Sequence, residues 1–213
     1  MRSRDGTFTE RARRAQIVDC AIETIAELGY PQASVRKIAD RAGVAMSVVL
    51  YHFGNKDELV AAVVSECYRS LLTMMVPAVA AQETAAGKLA AHIRTHLHYI
   101  GTNRAHQTSI MEIANGFRGR GGERLADLPI DPEHLGALAE VDLDVIFRLG
   151  VESGEFRPLS PDSMAMAVRG ALGVALLRVT ADDAFDVAAY GDDLVDAFLR
   201  ASVATDGSTG KDR

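Results

Sequence analysis

Residues 34–56 read SVRKIADRAGVAMSVVLYHFGNK, and the fold turns on how this stretch is read. Val35, Ile38, Ala39 and Ala42 stand at i, i+3, i+4 and i+7, so they share one face of a short helix with a buried side. Ser34 is placed to cap its first turn. Gly43 stands where the helix must stop, free to take the left-handed conformation that reverses the chain. A second short helix is predicted from about Ala45 to about Tyr51, with Val44, Val49 and Phe53 available to pack back on the first. Two short helices joined by a glycine turn make a helix-turn-helix, whose second helix lies in the major groove of DNA. An ordinary helical corner has the same local pattern.

The flanks narrow the choice. From Glu10 to Leu28, Ile17, Val18, Ala21, Ile22, Ile25 and Leu28 recur at helical spacing and give a support helix that Gly29 ends. After Phe53, GNKDEL turns the chain and starts a helix at about Asn55, with Asp57 and Glu58 favourably placed in its first turn. Lys56 then projects from a helix N-terminus, where free backbone N–H groups and a cation suit a phosphate oxygen.

Ile38-Ala39, Ala42-Gly43-Val44, His52-Phe53, Lys56 and Leu59, with the helix before them, resemble the DNA-binding domain of TetR-family transcriptional regulators over roughly residues 10–60. The resemblance implies an all-α protein: a disordered basic arm at 1–9, a three-helix helix-turn-helix domain at 10–55, a helical ligand-binding and dimerisation domain at 56–204, and a disordered tail at 205–213. It also implies a long helix joining the two domains, a homodimer on a roughly palindromic double-stranded operator, and release of DNA by a small-molecule effector. The family uses the lysine equivalent to Lys56 on phosphate. Where the family commonly has Ser, a polar or basic residue, Thr and Tyr, this chain has Ala45, Met46, Val48 and Leu50, so fewer hydrogen-bond donors remain.

Charge agrees once it is divided by position. The chain of 213 residues has a net charge of −6, yet residues 1–57 carry nine Lys/Arg against seven Asp/Glu, and the acidic excess lies wholly beyond them. Phosphate neutralisation acts within about a Debye length, so a basic end on an acidic body can still bind DNA. The length suits a small module plus a larger domain with a real core. Cys20 and Cys67 sit in helical patterns without metal-type spacing, which argues against disulfide or zinc frameworks. The charged opening residues lead into no signal-peptide core, and no run of about 18 apolar residues occurs, so a cytoplasmic protein with no membrane partner is expected.

Arg2, Arg4, Arg11, Arg13 and Arg14 make the opening segment either an arm along phosphates or a solvated tail. Val60, Val63, Val64, Cys67, Leu71 and Leu72 carry the next helix towards Met75, where Pro77 should kink or end it. Leu89, Ile93, Leu97 and Ile100 mark a helix ending near Gly101, and another is predicted from about Arg104 to Asn115. Residues 116–131 read as a glycine-rich loop, a gate or a plain connection. Asp131 is the expected N-cap of one helix over Pro132–Glu152. GVESGEFRPLSPD then resembles the connection before the last two helices in many TetR-family proteins. Those helices are predicted at about 162–179 and 187–204. The first of them is apolar or small almost all round and must be covered on every side, which a four-helix dimer bundle or a packed monomeric core would do.

By position, Ser34, Arg36, Lys37, Tyr51, His52 and Lys56 are the phosphate candidates, while Ala45, Met46 and Ser47 begin the helix that meets base edges. His92, His96, Tyr99, Met111, Glu112 and Asn115 are the candidate ligand-binding residues. A helical histidine pair without fixed carboxylate or thiolate partners is weak ground for a metal site, and none is assigned. No HExxH, GxSxG or paired-carboxylate arrangement organises catalysis, so no enzyme activity and no cofactor are expected. The competing reading is a dimeric DNA-binding factor that answers to no metabolite and acts through a protein partner or as an architectural element.

Overall fold

The computed structural model describes residues 4–119, 121, 122, 124, 125, 132–182 and 184–204. Among them the helices are α1 (Arg4–Leu28), α2 (Val35–Ala42), α3 (Met46–Phe53), α4 (Lys56–Ala80), α5 (Ala85–Thr102), α6 (Arg104–Gly116), α7 (Pro132–Val141), α8 (Leu143–Glu152), α9 (Pro161–Ala181) and α10 (Val187–Ser202). The only strand-like feature among these residues is an isolated bridge between Phe156 and Val203. The chain divides into two compact units: a head of Met1–Ser70 with Asn103–Pro132, and a body of Leu71–Thr102 with Glu133–Arg213.

The head is built around the helical stripe of α1. Ile17, Val18, Ala21, Ile22 and Ile25 meet Ile38, Ala39 and Ala42 of α2, Val49 and Phe53 of α3, and Leu59, Val60 and Val63 of α4. Each fully buried aliphatic side chain contributes roughly 1.5–3 kcal/mol, and together they outweigh the weak propensity of two eight-residue helices. Ile113 and Phe117, on and just after α6, complete this core.

That membership differs from the expected division at residue 55. α6 falls with the head because it packs along α1. Its apolar pattern alone could not show which partner it covers.

α1 also starts earlier than expected. The segment foreseen as a disordered arm is helical from Arg4, although Phe8 is 76% exposed. Extending an established helix needs no packed face, because propagation fixes one residue per hydrogen bond gained. Residues 1–3 of that arm, Asp131 as an N-cap, parts of the glycine-rich segment and the 205–213 tail lie outside the described residues. Pro77 does not end α4; it lies in the last turn, and Ala81 N–H still bonds to the Pro77 carbonyl at 3.1 Å.

In the body, α5 packs against α8, α9 and α10. Leu89, Ile93, Leu97 and Ile100 of its stripe are buried, as are Ile146 and Phe147 of α8 and Val168, Leu172, Ala175 and Val179 of α9. The start of α5 is capped from far away in sequence. The Glu155 carboxylate accepts from Ala85 N–H at 2.7 Å and from Ala86 N–H at 2.9 Å, satisfying two amides that the helix itself leaves open. Glu155 is held there by its neighbours: Phe156 buries its ring against Gly150, where an added Cβ would stand 2.2 Å from a ring carbon.

The single helix expected over Pro132–Glu152 is two. Asp142 leaves the helical conformation with ψ 128° and its carboxylate accepts from Asp144 N–H, so it ends α7 and caps α8. Arg169 of α9 braces the break by ion pairs to Asp142 at 3.4 Å and Asp144 at 2.8 Å.

α9 buries one face and exposes the other. Met166, Val174 and Leu177 are open, and an added Cβ at Gly170 or Gly173 would meet nothing within 4 Å. These five positions form one continuous stripe at i, i+4, i+7, i+8 and i+11. By length and composition α4 and α9 could each cross a bilayer.

Candidate nucleic-acid interface and ligand residues

The turn at the centre of the head is set by two short-range devices. Ser34 Oγ accepts from Lys37 N–H at 3.3 Å, and Gly43 takes φ 65°, ψ 34°, from which Val44 N–H returns to the Ala39 carbonyl at 3.0 Å. A side chain at Gly43 would find space but a strained backbone. α3 follows at once with Ala45 as N-cap, which supplies no side-chain bond, so the first amides of α3 have no side-chain cap.

Burial sorts the predicted nucleic-acid residues. Val49 and Phe53 face inward, while Ala45, Met46, Ser47, Leu50 and Tyr51 face solvent. Arg36 and Lys37 are exposed on α2 and make no ion pair among the described residues. Their neighbour Arg41 is different: it pairs with Glu27 and, at 3.5 Å, with Glu23, so its charge is spent within the head. Tyr51 directs its hydroxyl to Glu10 at 3.4 Å and packs edge-on against the half-buried His52. The structure thus brings Ala45, Met46, Ser47 and Tyr51 to one side of α3, with Ser34, Arg36 and Lys37 on the turn and first helix before it.

Lys56 behaves differently from its expectation. It is half-buried, and its ammonium donates to the Tyr30 carbonyl at 3.1 Å and lies 4.1 Å from the centre of the Tyr30 ring. Burial lowers its pKa from the ordinary lysine value. The first turn of α4 is capped by Asn55, whose side-chain oxygen accepts from Glu58 N–H at 3.0 Å.

Tyr30 in turn is held by α6. Its N–H bonds to the Glu112 carboxylate at 3.3 Å, its ring meets Phe117 edge-on at 6.0 Å, and it lies so close over Gly116 that an added Cβ would come to 2.9 Å. Sequence reasoning missed this collar of Tyr30, Glu112, Gly116 and Phe117. Tyr30 follows the glycine that ends the support helix and carries no local signal, and Gly116 read only as the start of a loop.

The six ligand candidates are divided between the units. Met111, Glu112 and Asn115 are on α6 in the head; His92, His96 and Tyr99 are on α5 in the body. His92 is buried and its Nδ1 lies 2.9 Å from the Val141 carbonyl, so Nδ1 carries the proton and donates. Desolvation, with His96 beside it, pushes the His92 pKa down to about 3, and burial takes His96 to about 4. The His96 Nδ1 is buried with no hydrogen-bond partner among the described residues. Tyr99 is fully buried. Among the described residues no three His, Cys, Asp or Glu side chains gather as metal ligands.

Fold and site together define an all-helical protein with an N-terminal helix-turn-helix head and a second helical unit. Residues 17–63 match the family model described as bacterial regulatory proteins, tetR family. The fatty acid metabolism regulator protein of Bacillus subtilis (strain 168) is 37% identical over 87 residues, 41% of this chain and 45% of that one. The HTH-type transcriptional regulator BetI of Brucella anthropi is 34% identical over 84 residues, 39% of this chain and 43% of that one. The matched stretch therefore spans less than half the length of these two relatives. Likeness in structure reaches further: the transcriptional regulator FadR from Bacillus subtilis in complex with stearoyl-CoA superposes with a TM-score of 0.68 at 25% identity, over 87% of this chain and 97% of that one. Residues 17–63 thus match the tetR family of bacterial regulatory proteins, and the fold as a whole is like that of the FadR regulator.

Proposed function

We propose that this protein is a sequence-specific DNA-binding transcriptional regulator, a cytoplasmic homodimeric repressor released from a palindromic operator by a small-molecule ligand. The observation that carries the reading is α3: an eight-residue helix anchored by Val49 and Phe53, with Met46, Ser47, Leu50 and Tyr51 turned outward. Arg36 and Lys37 stand nearby with no internal partner among the described residues. In this reading Ser34, Arg36, Lys37, Tyr51, His52 and Lys56 hold phosphates, and Ala45, Met46 and Ser47 enter the major groove.

The exposed stripe of α9 supports the dimer, because a water-facing row of Met166, Gly170, Gly173, Val174 and Leu177 gains most by meeting its own copy across a two-fold axis. Val174→Glu should shift the sedimenting species from dimer to monomer. The body is the effector domain in this proposal. Neutral His92 and His96 are among the buried polar groups of the body and are suited to a neutral hydrogen-bonding group more than to a carboxylate. Tyr99 backs them. Met111, Glu112 and Asn115 lie on α6 in the head, where Glu112 accepts from Tyr30 N–H, and are not part of this body site.

The test is mobility shift on duplexes selected from a random pool, with and without stearoyl-CoA, the ligand of the Bacillus subtilis structure, as the first effector to try. Retarded, palindromic DNA that an effector releases supports the reading. No retardation in low salt overturns it, and retardation indifferent to every small molecule favours the ligand-free factor.

A further inference from the structure

Resting on that DNA-binding reading, we propose that α3 reads its half-site through apolar contact with thymine C5-methyl groups in the major groove, with Met46 and Leu50 as the specificity-determining residues. Met46 and Leu50 lie one turn apart on the same side of the helix and are 48% and 37% exposed. They form an apolar ridge on the face of a head whose other aliphatic side chains are largely inside. Ala45 opens the helix beside them and is also exposed.

What this face lacks matters as much. Discriminating guanine or adenine by hydrogen bonds calls for a side chain that makes two bonds to one base edge, as Arg, Lys, Asn and Gln do. None of these four residue types occurs within α3. The polar side chains on the helix are Ser47 and Tyr51, whose hydroxyls face solvent, and the half-buried His52, which the proposed function sets on phosphate; the Tyr51 hydroxyl reaches Glu10 at 3.4 Å. The nearby cations with no ion pair among the described residues, Arg36 and Lys37, are on α2, the helix that crosses the backbone in this motif. Charge and apolar surface are thus separated by helix. Within the major groove the one apolar group a base pair offers is the thymine methyl. Seating Met46 and Leu50 against it removes both from water, whereas a groove without it leaves them facing polar base edges.

The experiment uses the full chain and duplexes enriched from a random pool. The expected result is half-sites with thymine at fixed positions, where replacing thymine by deoxyuridine removes only the methyl and weakens binding about fourfold per methyl. Changing the equivalent position in both half-sites should weaken binding about fifteenfold. Leu50→Ala and Met46→Ala should each bind more weakly and no longer distinguish thymine from deoxyuridine at one position, while keeping the wild-type far-UV circular dichroism and Tm. If enriched DNA tolerates deoxyuridine everywhere, the methyl-reading proposal is overturned although the protein still binds DNA. If no sequence is enriched and no duplex is bound, the DNA-binding reading falls as well.

Discussion

Lowering the pH from 7 to 5 should destabilise the body, and the two α5 histidines set the size of the effect. In the folded chain His92 titrates at about 3 and His96 at about 4, because burial disfavours the imidazolium; both begin from an ordinary value near 6.5. A depressed basic group is neutral when folded, so the unfolded chain takes up protons first as the pH falls below 6.5. Stability is therefore full above that value and declines steadily until the folded pKa is reached near 4. Linkage gives about 2 kcal/mol per histidine between pH 7 and pH 5, about 4 kcal/mol for the pair, a large fraction of a typical 5–15 kcal/mol. His106, whose pKa is also lowered by burial, adds loss of the same sign in the head. Urea unfolding followed by far-UV circular dichroism at fixed protein concentration measures the loss, and imidazole nitrogen NMR reports the His92 tautomer. His96→Phe should remove roughly half of the body's pH dependence. Stability unchanged within about 1 kcal/mol between pH 7 and 5, or imidazoles titrating near 6, would refute the reasoning.

Lys56→Ala should weaken DNA binding across all sequences and reduce the slope of log affinity against log salt by about one per head. An unchanged slope would assign the ammonium wholly to Tyr30. Gly150→Ala forces a methyl to within 2.2 Å of the Phe156 ring, so the variant should lose about 1–3 kcal/mol and several degrees of Tm; wild-type melting would mean the ring moves freely. Glu155→Ala uncaps two amides of α5 and should cost about 0.5–2 kcal/mol, read by chemical denaturation, with faster amide exchange at Ala85 and Ala86 as its local mark.

Much of the head was legible because its signals are local. Ser34 three residues before the amide it caps, a left-handed glycine at the turn, and a four-residue stripe on α2 can all be read within one or two helical turns. The apolar face of α9 was legible as a surplus, but only burial shows that Val168, Leu172 and Ala175 take one side and leave Met166, Val174 and Leu177 over. Other features depend on partners distant in sequence. Nothing near residue 85 announces that Glu155, 70 positions later, caps it. A lysine at a helix start looks free until Tyr30 is folded beneath it. α6 carries the same kind of stripe as α5, so periodicity could not say that one packs on α1 and the other on α8, α9 and α10. The candidate ligand residues were divided for the same reason.

The interruption at Asp142 reaches further than the helix it divides. By leaving the helical path there, the backbone surrenders the Val141 carbonyl to an imidazole 49 positions upstream, and that bond fixes which ring nitrogen of His92 is protonated. A substitution that straightened residues 132–152 would withdraw the acceptor and strand an N–H in an oily interior. A bend in one helix and a proton's address on another are in this sense a single inherited trait, and a lineage that repairs the first must rewrite the second.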